Sequence, residues 1–250
     1  THNLTVKSSD GTKTAYNLYM FDSNMYVSDE NGNELGYDCV NPDQIEWYKH
    51  TSAALKAENG GVTVPALAFQ HIIVQEAFDQ LFYKSPVSLG SAGRDFDGVS
   101  YTYLPKLSAI RDGLLFEAPC PGYFNHGQFA AMVETGDVKA IFSGHDHVND
   151  FTITLDGINI TNTAGATMHS YGKDYNRGAR LIVLDESDLS TYETSNITYA
   201  ETALREDSEL SKMDGGISKT RAAFAIAFGS FLKALVRLLG MFTMLSDKIC

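Results

Sequence analysis

Phe142-Ser143-Gly144-His145-Asp146-His147-Val148-Asn149-Asp150-Phe151 is the stretch that most narrows what this chain forms. It continues an apolar run, Val138 to Phe142, and a short apolar run bounded by glycine reads as a buried strand. Side chains alternate along a strand, so His145 and His147 leave its end on the same side. Gly144 permits a sharp turn and a ligand close to the main chain. Two neutral imidazoles so placed suit a transition metal. By itself, His-x-His is also the pattern of two polar residues in a loop.

The surrounding sequence alternates helix and strand signals. Ala15 to Phe21 reads as an aromatic-rich strand. Asn41 and Pro42 open a helix that runs to about Glu58, with proline in the first turn and Asn59-Gly60-Gly61 as the stop. Val62 to Phe69 is a mostly apolar strand with His71 just past its C-terminal end, where open α/β sheets tend to place ligand-binding groups. Asn125 to Thr135 reads as a helix closed by Gly136, feeding the strand that delivers His145. Phe151–Leu155 and Ile158–Thr163 are joined by Asp156-Gly157, a strong hairpin signal. Ala179–Leu184 and Tyr192–Thr198 complete a β-rich end. Residues 85–105, which include Arg94 and Asp97, read as a Gly/Ser-rich surface loop or a lid.

Gly144-His145-Asp146-His147-Val148-Asn149-Asp150-Phe151 resembles the last metal-binding motif of the calcineurin-like metallophosphoesterases, in particular the branch of Dcr2-type and small purple-acid-phosphatase-like proteins. Other pieces match in order. They are Ser9-Asp10-Gly11, Ala15 to Tyr19, Phe21-Asp22-Ser23, Tyr37-Asp38, and Pro42 to Tyr48. They continue through Pro65 to Ile72 around His71, Gly136-Asp137-Val138-Lys139-Ala140, Tyr171-Gly172-Lys173 and Arg177-Gly178-Ala179-Arg180. The resemblance covers residues 4–186. It implies an α/β fold, a β-sandwich flanked by helices of which the C-terminal half is present, plus a C-terminal amphipathic helix. It also implies a phosphatase: phosphate-ester hydrolysis by metal-bound hydroxide on two divalent or trivalent transition-metal ions (Fe, Mn or Zn), with a phosphoester as substrate. The ligands carried over are His71 and His145 for one ion and His147 for the other.

The first three motifs of that family, Asp-x-His, Gly-Asp-x-x-Asp and Gly-Asn-His-Asp/Glu, have no counterpart here. Gly136-Asp137 continues as Val138-Lys139-Ala140. Asn125-His126 lacks the preceding glycine and the trailing acid, and follows His71. A two-metal hydrolase holds its ions about 3.5–4 Å apart, and carboxylates help neutralise them. Even open zinc sites keep three protein ligands. The expectation is therefore an incomplete dinuclear metal centre and a chain that hydrolyses weakly or not at all alone. The start at Thr1 rather than methionine is in keeping with the C-terminal portion of a longer protein. No catalytic residue beyond the metal ligands is assigned.

Further residues are placed with less context. Asp146 and Asp150 are candidates to orient the ligand histidines, and Asn149 either joins them or caps the turn. His126 and His169 lie near matching segments and are candidates to face substrate. His2 and His50 read as surface residues. Arg177 and Arg180 offer phosphate contacts, but pairing with carboxylates is the better reading. Cys39 and Cys120 form a disulfide or remain thiols, and with Cys250 they lack zinc-ribbon spacing. The net charge of −12 excludes the basic footprint of a nucleic-acid binder. Asn3, Asn159 and Asn196 open glycosylation sequons, relevant only on a secretory route.

The division expected is 1–200 metallophosphoesterase domain, 201–217 acidic polar linker and 218–250 helical tail. In the tail, Ser230, Lys233 and Arg237 form a narrow polar stripe on an otherwise apolar helix containing Phe224, Phe228, Phe231, Leu235, Leu238 and Phe242. Its length suffices to span a bilayer, but Lys233 and Arg237 near the middle would each cost about 2.5–3.5 kcal/mol. A membrane surface contacted through residues 218–245 is the alternative, as is a helix docked on its own domain or a partner subunit. Two other functions remain open: a non-catalytic membrane-associated interaction protein, and a mononuclear metal protein using His71, His145, His147 and His169.

Overall fold

Residues 1–84, 92–96, 99–205, 208–213 and 215–246 are described by the computed structural model. Strands β1 (His2–Lys7), β2 (Thr14–Met20), β3 (Tyr26–Ser28) and β4 (Glu34–Tyr37) precede helix α1 (Pro42–Glu58) and strand β5 (Ala66–Phe69). Helix α2 (Gln75–Leu81) is followed by β6 (Phe82–Lys84), β7 (Ala92–Phe96) and β8 (Val99–Pro105). Helix α3 (Gln128–Thr135), β9 (Val138–Ser143), β10 (Thr152–Leu155) and β11 (Ile158–Asn162) come next. The chain continues through β12 (Gly178–Val183), β13 (Glu193–Thr198), α4 (Tyr199–Ala203) and α5 (Lys219–Ser246).

A mixed sheet of order β1-β2-β5-β9-β11-β10 forms the centre of this α/β fold. Its middle members β2, β5, β9 and β11 run parallel, and β1 and β10 pair antiparallel at the two edges. Parallel strands must be covered on both faces. One face carries Tyr19, Ala66, Ala68 and Ile141, which pack with residues of α1, α2 and α3. The other face presents Tyr16, Leu67, Ala140 and Phe142 to Ile182, Leu184, Leu189 and Tyr192 from the β12–β13 hairpin region. The consequence for function is directional: the C-terminal ends of β5 and β9 open side by side.

Several boundaries differ from the pattern in the sequence. Strand β5 begins at Ala66 rather than Val62, because Val62 is exposed and Pro65 has no N–H to give the ladder. Helix α3 begins at Gln128 because Gly127 takes a left-handed conformation, φ 85°. Residues 85–105 are not one long loop. Strands β7 and β8 form a hairpin, and β8 pairs β6 in a three-stranded sheet. Asp97, part of the suggested lid, lies outside the described residues. The Asp156-Gly157 hairpin forms as expected, with both residues at positive φ.

Helix α5 docks on its own chain. Ala222 and Ala225 are buried against Ala200, Ala203 and Ile217 of the adjoining segment. Gly229 and Gly240 allow close approach, since an added Cβ would lie 2.9 Å from Tyr175 Cβ and 3.1 Å from the Leu107 carbonyl oxygen. Within the polar stripe Lys233 turns inward, its Nζ 3.4 Å from the buried Asp150 Oδ2, and Arg237 pairs at the surface with Asp112 at 3.0 Å; Arg221, outside the stripe, pairs with Asp174. The outer face leaves Phe224, Phe228, Phe231, Leu235, Leu238 and Leu239 exposed.

A buried carboxylate fastens the sheet to α1. Asp137, at the start of β9, is 1% exposed and accepts hydrogen bonds from Tyr19 Oη (2.9 Å), Tyr48 Oη and Ser52 Oγ (2.7 Å). Burial first, then the Asp137 charge, push both phenols above their ordinary range, so they stay protonated and donate. Asp137→Ala removes the acceptor from three buried hydroxyls and is expected to cost on the order of 3 kcal/mol of stability. The readout is a lower urea midpoint at unchanged slope, with Asp137→Asn, which keeps one acceptor oxygen, falling between. A midpoint for Asp137→Ala equal to that of the unaltered chain would show that this carboxylate does not anchor the sheet.

Candidate metal centre

The ends of β5 and β9 are stitched together just beyond the ladder. The Gln70 N–H donates to the Phe142 carbonyl, and the Gly144 and His145 N–H groups both donate to the His71 carbonyl at 3.2 and 3.1 Å. That clasp turns two imidazoles toward each other. His145 Nδ1 and His71 Nε2 stand 3.0 Å apart with the rings nearly perpendicular. Two ring nitrogens this close need a proton or a cation between them, because two lone pairs repel. Burial, then His147, hold His71 below the usual imidazole range; burial, His71 and His147, in that order, do the same for His145. Neutral imidazole is the form that binds a metal. The Tyr37 ring closes against His145 edge-on, centroids 4.3 Å apart.

His147 is held separately. Its ring stacks on Tyr171 with centroids 4.4 Å apart and planes 7° from parallel. Nδ1 lies 3.3 Å from the Tyr171 carbonyl and 3.1 Å from Ser170 Oγ. A carbonyl only accepts, so Nδ1 carries the hydrogen in that contact and Nε2 keeps the lone pair. Gly165 makes room for the ring, since a Cβ there would lie 3.0 Å from His147 Cγ.

Of the residues suspected of orienting these histidines, none touches an imidazole nitrogen. Asn149 Oδ1 accepts from the Phe116 and Glu117 N–H groups, and its Nδ2 donates to the Glu117 carbonyl, so it shapes the 114–120 loop. Asp150 accepts from the Leu114 N–H and from Asn196 Nδ2 and pairs with Lys233, a structural junction far from the rings' polar atoms. Asp146 Oδ1 accepts from the Cys120 N–H, while its Oδ2 is buried with no hydrogen-bond partner. The Asp146 carboxyl is pushed up to about 7, mainly by burial and next by the charge of Glu117. His126 lies against Phe124 and lines a neighbouring small pocket with Cys39, Gln70 and Gln128, and His169 is exposed. Arg177 donates to the Ser170 carbonyl, and Arg180 to Thr163 and Thr194 hydroxyls and the Asp150 and Asn162 carbonyls. Their hydrogen-bond partners are carbonyls and hydroxyls; the carboxylates expected enter for Arg180, where burial opposes the charge and Asp150, then Asp112, favour it. Cys39 and Cys120 are not joined in a disulfide.

Three residues at this end of the sheet had no signal as ligands in sequence: Glu117, Cys120 and the Tyr171 side chain. Tyr171 Oη donates to Glu117 Oε1 at 3.0 Å. Cys120, His145 and Asp146 bring potential ligand atoms within 4.8 Å of one another. Only the Pro119-Cys120-Pro121-Gly122 run, which reads as a rigid turn, marks the loop in the sequence.

The donor set fits one ion. The 3.0 Å between His71 and His145 nitrogens is a hydrogen-bond separation that opens only slightly, to roughly 3.3–3.4 Å, for two ligands of one tetrahedral zinc-type ion. Among the described residues no carboxylate is shown in contact with both the His71–His145 pair and His147, so the two-ion centre that the motif resemblance implies lacks a bridging group here.

No protein-family model matches this chain, and no solved structure matches it. Curated relatives do. Probable inactive purple acid phosphatase 14 of Arabidopsis thaliana is 34% identical over 182 residues, spanning 69% of this chain and 39% of its own length. Probable inactive purple acid phosphatases 29 and 28 of the same plant are 32% and 31% identical, over 69% and 68% of this chain and 39% and 36% of their own lengths. The chain thus spans less than two-fifths or about two-fifths of the relatives it matches.

Proposed function

These relatives support membership of the metallophosphoesterase superfamily, and on that premise we propose that this chain carries the histidine part of a phosphoesterase site and turns over phosphate esters weakly or not at all by itself. The observation that carries the reading is the His71–His145 pair, two ring nitrogens delivered 3.0 Å apart by adjacent parallel strands. A bound ion of the kind they would hold supplies Lewis-acid polarisation of a phosphoryl oxygen. The remaining work falls to the chain's own groups. His147 is oriented through the contacts of Nδ1 with the Tyr171 carbonyl and Ser170 Oγ, which leaves Nε2 as its ligand atom. Tyr171 is braced on Glu117 and backs that ring. In this reading the β12–β13 hairpin is the beginning of the second sheet of a sandwich. The closer kinship to the Dcr2-type branch rests on the Gly144–Phe151 run. The substrate is a phosphomonoester or phosphodiester.

The test is hydrolysis of p-nitrophenyl phosphate and bis(p-nitrophenyl) phosphate by the full chain loaded separately with Fe, Mn or Zn. The expected rates lie close to the metal-only background, far under the roughly 1–10³ s⁻¹ of ordinary enzymes. Turnover in that range, lost in His145→Ala, would mean that a complete hydrolytic site is present.

A second reading concerns α5. Three of its four cations, Lys233, Arg237 and Arg221, are engaged by Asp150, Asp112 and Asp174, while large apolar side chains project outward. Its first 22 residues, Lys219–Gly240, are long and apolar enough to cross a membrane by length and composition. Contiguous exposed apolar surface of this sort marks an interaction site. We propose that the outer face rests on a bilayer surface through apolar contact, without need of anionic lipid, in keeping with the net charge of −12. Flotation with phosphatidylcholine vesicles is expected, lost in Phe224→Ser/Phe231→Ser and kept in His71→Ala. No flotation, or flotation only with anionic lipid, would contradict it; concentration-dependent self-association instead would assign the face to a second copy.

A further inference from the structure

The loop that Asn149 holds in place brings a thiol to the metal end of the sheet. Cys120 sits between Pro119 and Pro121, which stiffen the backbone on both sides. Its N–H donates to Asp146 Oδ1 at 3.2 Å, so the thiol and the carboxylate are fixed relative to each other through the main chain. Asp146 is only 2% exposed, yet its second oxygen has no hydrogen-bond partner. A buried carboxylate oxygen left this way is costly, and a cation beside it offsets that cost. His145 supplies the nearest ring, and one ligand atom from each of the three residues falls within 4.8 Å of the others.

We infer that Cys120, His145 and Asp146 bind one divalent cation of the zinc class through thiolate, imidazole and carboxylate. Each ligand type has its usual zinc distance, about 2.3 Å for sulfur and about 2.0–2.2 Å for nitrogen and oxygen. A thiolate selects zinc over magnesium, calcium and manganese, which prefer oxygen. Cys120 is exposed, so an ion reaches the site from solvent and retains an open coordination position on that side. Three protein ligands with one open position is the arrangement of zinc sites that exchange water or ligand. The inference goes beyond the histidine-pair reading: it shares His145 but takes Cys120 and Asp146 as the other ligands in place of His71.

Cobalt(II) titration of the full chain distinguishes the two positions. Thiolate ligation gives a near-ultraviolet sulfur-to-cobalt charge-transfer band, saturating at one cobalt per chain and displaced by zinc. Cys120→Ser is expected to abolish the band and weaken zinc binding on the order of 10–100-fold or more, judged against the loss typical of a supporting residue alone. His71→Ala is expected to leave the band in place. Cys120 is exposed, and an unchanged urea midpoint for Cys120→Ser confirms that folding is not the cause. No band in the unaltered chain, or a band that survives Cys120→Ser as one from Cys39 or Cys250 would, overturns the inference. Stoichiometric cobalt binding that depends on His71 but not on Cys120 overturns it too, while leaving the histidine-pair reading standing.

Discussion

Asp137 places a carboxyl group inside the molecule, and three hydroxyls hold it there. Tyr19 comes from β2, Tyr48 and Ser52 from α1, and Asp137 itself opens β9, so one carboxylate ties two central strands to the helix that covers them. The same residue's carbonyl accepts the Ala66 N–H at the entry to β5. With the N-terminal ends of β5 and β9 set in this way, the parallel register carries through to their C-terminal ends. There the His71 carbonyl takes two N–H groups from the next strand's exit. Stability is concentrated at one end of β9 and ligand chemistry at the other.

That exit geometry explains both what the site offers and what it withholds. Imidazoles reach the site from strand ends and short turns, where backbone hydrogen bonds fix them without help from acidic residues. The acids nearby are committed elsewhere: Asp150 to the junction of the 112–114 turn, β13 and α5, and Glu117 to Tyr171. Asp146 keeps one buried oxygen without a hydrogen-bond partner, and its carboxylate groups with Cys120 and His145. Without shared carboxylates, two divalent charges a few ångströms apart would repel with little to offset them. Among the described residues the constellation offers no carboxylate bridge between two ions.

Much of the arrangement was legible in the sequence because it is local. Strand β9 followed by Gly144 and two histidines, Pro42 at the start of α1, and Asp156-Gly157 between β10 and β11 each depend on residues a few positions apart. The ordered motifs placed His71 beside His145 across 74 residues, something periodicity alone does not do. The failures are non-local. Asp150 looks like a partner for the neighbouring histidines, but its partners are Leu114, Asn196 and Lys233. Cys120 looks like an isolated thiol until the fold brings it to Asp146. Strands β7 and β8 were hidden by the glycines and serines around them, although Val99-Ser100-Tyr101-Thr102-Tyr103 alternates as a strand does. Helix α2 has seven residues, too few for a helical period to stand out.

The most direct test of this account is the number of ions the chain retains. The purified full chain, prepared without chelator, equilibrated with excess zinc and then desalted, is analysed by elemental mass spectrometry. One zinc per chain is predicted, reduced to a small fraction in His145→Ala, the residue common to every ligand set described. Two ions per chain would contradict the account, since a dinuclear centre would then be complete without the missing carboxylate motifs, and so would zinc content unaffected by His145→Ala.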